Sequence, residues 1–373
     1  MNSTNSSYSL HAHYDRTLLA AVLMLLVISV VMVYSSSSVV ALTSYDDSAF
    51  FMKRQLLWAL VGLGCLAITM HIDHKLLSDQ RVVIALLVIA LLLLALTLVP
   101  GIGKMVNGSR RWLRYGIISF QPSELAKFAL VVYMSYYIAK KQERIRDFMN
   151  GLVPAYVVCG VFLALVIVQP DFGATMTMAC VCGILLFVGG ARLVHLGGTA
   201  LAAVPFVYFA VAHSAYRQRR VFSFLDPWAD PLGAGHQIIQ SFLAFGSGGI
   251  FGRGLGEGRQ KLLFLPERHS DFIYAVIGEE LGLIGALAVL VLFLIILWRG
   301  VRIGLRSSDQ FSRILALGIT FLICMQGMIN MAVVTGLLPT KGIALPLVSY
   351  GGSSLVITLA AMGVLLNISK ETA

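Results

Sequence analysis

The chain has 373 residues, 58% of them hydrophobic and 12% charged, with a mean hydropathy of +0.84. A soluble domain carries about twice that charged fraction, which excludes a water-soluble globular enzyme and leaves a polytopic membrane protein. The formal net charge of +10 is high for so apolar a chain, so the location of its basic residues matters more than their number.

Ten hydrophobic runs are long enough to cross a bilayer: 17–42, 56–71, 82–99, 123–139, 152–168, 172–189, 193–212, 271–298, 314–338 and 345–368. The expected fold is therefore all-α, a single transmembrane unit spanning 1–373 with about ten helices and both termini on one side. The fifth and sixth runs are divided only by Gln169-Pro170-Asp171, read as a tight turn, because their joint length exceeds one span. The polar start, residues 1–16, has no basic n-region and no small-residue cleavage site after it, so no cleavable signal peptide is expected. Cys65, Cys159, Cys180, Cys182 and Cys324 all fall in apolar runs, and neither a disulfide nor a metal site is expected of them.

Lysine and arginine in short loops set orientation. The compact clusters Lys140, Lys141, Arg144, Arg146 and Arg299, Arg302, Arg306, Arg313 are placed in the cytoplasm, which puts both termini there too. The outer side then holds Arg110, Arg111, Arg114, Arg217, Arg219, Arg220, Arg253 and Arg268 beside aromatic, apolar or glycine neighbours. Arginine suits bidentate phosphate binding, so a diphosphate site at the outer face is one reading. Contact with anionic lipid headgroups or a partner protein is the other.

Two outer loops stand out. Residues 100–121 carry Arg110-Arg111-Trp112-Leu113-Arg114. The loop between the seventh and eighth spans, about 213–270, is too long for a mere connection. It contains Asp226-Pro227-Trp228-Ala229-Asp230-Pro231, an amphipathic stretch at 235–245, and seven glycines between 246 and 258. No strand precedes those glycines and no Lys-Ser/Thr follows, which disfavours a nucleotide loop and favours a flexible lid.

The fourth span opens Gln121-Pro122-Ser123-Glu124-Leu125-Ala126-Lys127, with proline in the first turn. Glu124 and Lys127 stand three residues apart and share a helix face; they form either a structural pair or part of a site. Residues 337–354, with two prolines, three glycines and three serines, suggest irregular backbone lining a cavity at membrane depth.

The densest polar stretch is Pro266-Glu267-Arg268-His269-Ser270-Asp271, followed by Glu279-Glu280 at the mouth of a strongly apolar run. Carboxylates at such a place usually face a cavity or a partner. Asp271 is read near a helix N-cap, where free N–H groups favour a carboxylate. Glu279 and Glu280 are read as roughly 12–14 Å deeper in the same helix.

These stretches, together with Arg111-Trp112-Leu113, Gln169-Pro170-Asp171-Phe172-Gly173 and Pro339-Thr340-Lys341-Gly342, make the chain resemble the SEDS family of cell-wall polymerases (shape, elongation, division and sporulation), and its division members most. Ser270 stands where the family has threonine, and Arg268 where a small or uncharged residue is common. The resemblance implies an inverting glycosyltransferase that polymerises lipid II into β1→4 glycan strands at the outer face of the bacterial inner membrane, at the division septum. It implies a class B penicillin-binding transpeptidase and other divisome membrane proteins as partners, with membrane lipid around them and no nucleic acid.

Inversion needs one in-line displacement, with a base for the acceptor 4-hydroxyl and positive charge for the departing diphosphate. Asp271 is the candidate base. Arg110, Arg111, Lys127 and Lys341 are candidate diphosphate partners, and Glu124, His269, Glu280, Ser349 and Ser353 are candidates for the substrate cavity. A divalent cation, Mg or Mn, could also neutralise the diphosphate, although no dedicated ligand cluster stands out. A lipid II flippase and a non-catalytic division scaffold are the competing readings. The first lacks a visible inverted repeat, and the second leaves Asp271 unexplained.

Overall fold

The computed structural model describes residues 14–106, 109–115, 118–259 and 269–372. Arg268 therefore lies outside the described residues. Its α-helices, in chain order, are α1 Arg16–Tyr45, α2 Phe50–His71, α3 Gln80–Leu98, α4 Pro122–Lys140, α5 Val153–Val168, α6 Phe172–Val188, α7 Leu193–Ala212, α8 Ala215–Leu225, α9 His236–Gly248, α10 Ile273–Glu280, α11 Gly282–Arg306, α12 Gln310–Val334 and α13 Gly352–Ser369. Eight helices are long and apolar enough to cross a membrane, among the described residues. The remaining two expected spans are α6, which is apolar but shorter, and α4, which carries Glu124 and Lys127.

Local chemistry explains the helix starts. Asp15 accepts from Leu18 N at the head of α1, Asp171 from Ala174 N at α6, and Asp309 from Ser312 N at α12. Each satisfies an N–H that has no partner inside its helix. Pro122 opens α4, where a missing N–H costs nothing.

The core runs through α4, α12 and α13, with Leu130, Met134, Ile138, Ile314 and Leu365 fully buried. The chain ends meet at one end of the bundle. Asp15 N donates to Ser369 Oγ at 3.0 Å, and Arg299 Nη2 lies 2.6 Å from Asp15 Oδ2. That agrees with an even number of crossings. His74 joins the same end, with Nδ1 2.6 Å from Asn367 Oδ1 and Nε2 2.8 Å from Ser312 Oγ.

At the opposite end three features depart from expectation. The loop at 100–121 is a small antiparallel sheet, β1 Gly103–Val106, β2 Ser109–Tyr115 and β3 Ile118–Phe120, in that order. The long loop folds into α8 and α9, and the latter covers the amphipathic stretch. The expected eighth span is two helices rather than one. It breaks at Leu281-Gly282, where Gly282 has φ +69°. A methyl group there would collide with Gly252 N, and one at Gly252, φ +79°, would collide with Glu280 O. Two glycines thus let the 248–259 segment cross the helix break at backbone contact.

This crossing corrects two expectations. Glu279 and Glu280 are not deep within one continuous helix; they close a short one. The glycine segment is not loose either. Arg253 N and Gly254 N donate to the carbonyls of Glu279 and Glu280, at 3.0 Å each, and Leu283 N donates to Gly249 O at 2.9 Å. The segment is a strap bound to the α10–α11 junction.

Candidate active site

Asp271 stands in a turn ahead of α10, not at its cap. The capping position is Phe272, which makes no side-chain cap bond. The backbone of this turn is fastened on two sides. Ser349 Oγ donates to Ser270 O at 2.6 Å and accepts from Leu345 N at 2.8 Å. Tyr350 N donates to His269 O at 2.9 Å. Asn330 Nδ2 donates to Asp271 O at 2.8 Å and to Ile343 O at 2.6 Å. Residues 269–272 and 341–350 therefore form one body, and the irregular backbone foreseen at 337–354 reaches from the end of α12 to the start of α13.

The half-buried Asp271 side chain faces residue 342. A methyl group on Gly342 would lie 3.1 Å from Asp271 Oδ2. The missing side chain keeps the carboxylate approachable. One residue before Gly342, Lys341 has its Nζ 4.9 Å from the centroid of the Phe172 ring, and Arg217 Cζ lies 5.6 Å from the same ring. Lys341 lies outside the spanning helices, and burial pushes its ammonium below its ordinary pKa. Among the described residues no carboxylate pairs with Lys341. A half-buried cation so placed is suited to an incoming anion. Arg220 Nη1 donates to Thr340 O at 2.9 Å, which fastens α8 to the same loop.

Arg110 and Arg111 divide because neighbours on a strand point to opposite faces. Arg111 turns inward. Its Nε donates to Ser109 Oγ at 2.7 Å, and its Nη1 is 3.7 Å from Asp171 Oδ2. Gln121 Nε2 also donates to Asp171, at 3.3 Å. Arg111 thereby joins the sheet to the head of α6, one residue from Phe172. Arg110 projects from the other face of the strand.

Glu124 and Lys127 are brought together as a pair at 2.9 Å, with Lys127 buried. Lys127 Nζ also donates to Gln326 Oε1 at 2.6 Å, and Ser354 Oγ donates to Glu124 at 3.2 Å. Gln326 Nε2 in turn donates to Ala344 O at 3.2 Å. A cavity of about 20 Å³ lies beside them, bounded by Pro346 and Thr358. That is room for about one water molecule. The pair braces α4, α12 and the 341–350 loop and borders this cavity.

The other candidates take supporting positions. Ser353 Oγ accepts from Gln121 N at 3.1 Å and so joins α13 to the head of α4. The His269 ring lies 4.9 Å from Phe51 and 5.7 Å from Tyr350. Glu280, fully buried, accepts from Ser35 Oγ at 2.5 Å and from Gly256 N at 3.1 Å. Glu279 accepts from Arg259 N at 2.8 Å. Among the described residues no three His, Cys, Asp or Glu side chains gather as a metal site would require.

Sequence reading missed three amides. Gln326 and Asn330 stand four apart on one face of an otherwise apolar helix, and Gln55 is buried in α2 with its Nε2 2.8 Å from Ser29 Oγ and 3.4 Å from Ser349 O. The signal was available, since an uncharged amide inside an apolar span needs a partner as a charge does.

Known proteins resemble the chain over nearly its whole length. The FtsW–RodA–SpoVE family of cell cycle proteins matches residues 16–373. A probable peptidoglycan glycosyltransferase FtsW of Trichlorobacter lovleyi is 52% identical over 358 residues, 96% of this chain and 93% of that protein. Stage V sporulation protein E of Bacillus subtilis is 45% identical over 327 residues, 87% of this chain and 88% of the relative. Among solved structures, a chain of a peptidoglycan synthase complex that coordinates polymerization and crosslinking superposes with a TM-score of 0.78 at 30% identity, covering 96% of this chain and 98% of its own. The rod shape determining protein RodA of Thermus thermophilus gives 0.68 at 25% identity, over 96% and 97%. The chain is a multi-pass membrane protein and belongs to the FtsW–RodA–SpoVE family of cell cycle proteins.

Proposed function

We propose that this protein is a peptidoglycan glycosyltransferase that polymerises lipid II into β1→4 glycan strands, with Asp271 as the general base. The observation that carries the reading is the fastening of the Asp271 turn to the 341–350 loop, which sets Gly342 against the Asp271 carboxylate one residue from Lys341. The names of the relatives support the same chemistry.

In the reaction, the acceptor 4-hydroxyl attacks the anomeric carbon of the donor sugar as the bond to the diphosphate breaks. The new bond is O4–C1, and configuration inverts. Asp271 takes the hydroxyl proton, and the electron pair leaves with the lipid diphosphate. Lys341 supplies positive charge where that negative charge develops, and its half-buried setting strengthens the effect. Arg110 and Arg217 are placed to extend the cationic surface. Arg111, Glu124, Lys127, Ser349 and Ser353 hold the surrounding segments.

A class B penicillin-binding transpeptidase is the partner we propose. The exposed stripe Leu283, Leu287, Val291, Leu294 and Trp298 on α11 offers a seam for its single membrane helix. The setting we propose is the bacterial inner membrane at the division septum.

The test is polymerisation of lipid II by purified protein with its transpeptidase. Asp271→Asn keeps the shape but not the proton acceptor, so product formation is expected to fall by about 10²–10⁴-fold at equal folded yield. Near-normal polymer from a well-folded Asn variant would end the assignment. Detergent micelles have no two leaflets, so a flippase without polymerase activity would give no glycan from either protein.

A further inference from the structure

Asn330 lies four residues from the end of α12 and is 1% exposed. Its amide nitrogen has two hydrogens, and each has an acceptor. One is the carbonyl of Asp271 at 2.8 Å, the other that of Ile343 at 2.6 Å. Its Oδ1 is buried and accepts from no group among the described residues. The side chain is therefore committed through its donors, and both acceptors belong to the segments that carry the proposed base and the proposed cation. Ile343 is two residues from Lys341, and Asp271 is bonded at the residue itself.

The neighbouring supports are differently placed. Ser349 and Tyr350 grip residues 269 and 270, ahead of Asp271, and Gln326 grips Ala344. Asn330 alone among the described side chains bridges the two segments at Asp271 and Ile343. It stands on a helix largely buried in the core. Two short bonds from one planar group fix a distance and an angle between the segments, and catalytic geometry is sensitive at that scale.

We propose that Asn330 is a positioning residue for the glycosyl transfer, holding the Asp271 carboxylate in register with Lys341. The proposal rests on reading Asp271 as the base. It assigns Asn330 no contact with substrate. Its effect is on the transition state, so its loss lowers kcat and leaves KM for lipid II nearly as it was.

Asn330→Asp is close to isosteric and reverses the chemistry. An ionised carboxylate has no N–H to donate and sets its oxygens against two carbonyls. A protonated one recovers a single donor. Purified variant and wild type, each with the transpeptidase partner, are compared on labelled lipid II across pH. The expected result is a kcat about 10²-fold lower, of the order seen when a reacting group is misplaced by about 1 Å, with KM changed by no more than about threefold. The ratio of variant to wild-type kcat should rise as pH falls and the new carboxyl takes up its proton. A bystander in the core has no reason to show that slope. Asn330→Ala lacks both donors at every pH. It should share the loss in kcat with a ratio that is flat in pH, and it serves alone if the Asp variant does not fold. A near-normal kcat in either folded variant, a loss confined to KM, or the failure of both to fold would overturn the inference. Asp271→Asn is run in the same assay. If it still makes polymer, the reading of the base fails; if it is silent while the Asn330 variants are normal, only the positioning role falls.

Discussion

Helices α7 and α12 are both long, apolar and able to cross a membrane, yet they occupy opposite situations. In its most apolar stretch α12 is 72% buried, and α7 has no buried residue there among the described residues. α12 carries Ser312, Thr320, Gln326 and Asn330 inward, and every one of them is hydrogen bonded. Its glycines are filled against neighbours: a methyl group on Gly318 would lie 2.6 Å from Val131 Cγ1, and one on Gly327 2.6 Å from Phe293 Cε1. On α7, methyl groups at Gly197 and Gly198 would meet nothing within 4 Å. The helix is attached by few contacts, such as Tyr156 with Thr199 at 3.1 Å and the Arg217 bond to Ala210 O at 2.7 Å. Hydropathy decides that a segment leaves water. Small residues and amides decide whether it packs against protein or faces lipid.

The contrast can be broken most severely at the partner of α12. Lys127→Ala leaves the largely buried Glu124 charge without its pair and Gln326 without its donor. Loss of one member of a buried pair costs about 3–5 kcal/mol. Thermal unfolding in detergent should show a large drop, and the double replacement Glu124→Gln with Lys127→Met should lose less than the single one. Equal losses would mean that the charges are not coupled.

A single substitution made on both helices sharpens the comparison further. Gly318→Ala forces overpacking against a β-branched neighbour, at a cost of about 1–3 kcal/mol. Gly198→Ala adds only helix preference, a gain of up to about 1 kcal/mol. The melting temperature is expected to fall for the first and to hold or rise for the second. A fall at Gly198 would place α7 against protein.

The smallest effect is expected at the α7–α8 corner. Arg217→Ala removes a cation from the face of Phe172 and a bond to Ala210 O, worth about 1 kcal/mol in a half-exposed setting. Global stability should barely move. Hydrogen exchange in α7 and α8 should quicken while α12 stays as protected as before. Unchanged exchange in α7 would show that the corner is held elsewhere.

Much of this was legible in the residues. The ten apolar runs all fall on helices, the eighth of them broken in two, the turn Gln169-Pro170-Asp171 separates α5 from α6, and the Pro- and Gly-rich approach to α13 is irregular. Asp271 and the Lys341-Gly342 pair were singled out in two separate stretches, and the fold sets Gly342 against the Asp271 carboxylate. Glu124 and Lys127 were visible as a pair three residues apart, with their purpose undecided. The break at Gly282 was not legible, because glycine in an apolar helix is ordinary until another backbone is seen to cross it. The same holds for the glycine strap: its composition reads as flexibility, and its hydrogen bonds to Glu279 and Glu280 make it a fixture.

By itself the sequence determined that the chain lives in a membrane, which runs become its apolar helices, and which polar stretch needs a reason to be there. These follow from one-dimensional physics: the cost of burying charge and the length of a span. Only the tertiary structure decided which face Arg111 takes, that Asn330 bridges Asp271 to Ile343, and that α12 is core while α7 is not. Those depend on which surfaces meet. A hydrogen bond between residues 59 positions apart is set by the packing of helices, and no local pattern in either segment encodes it.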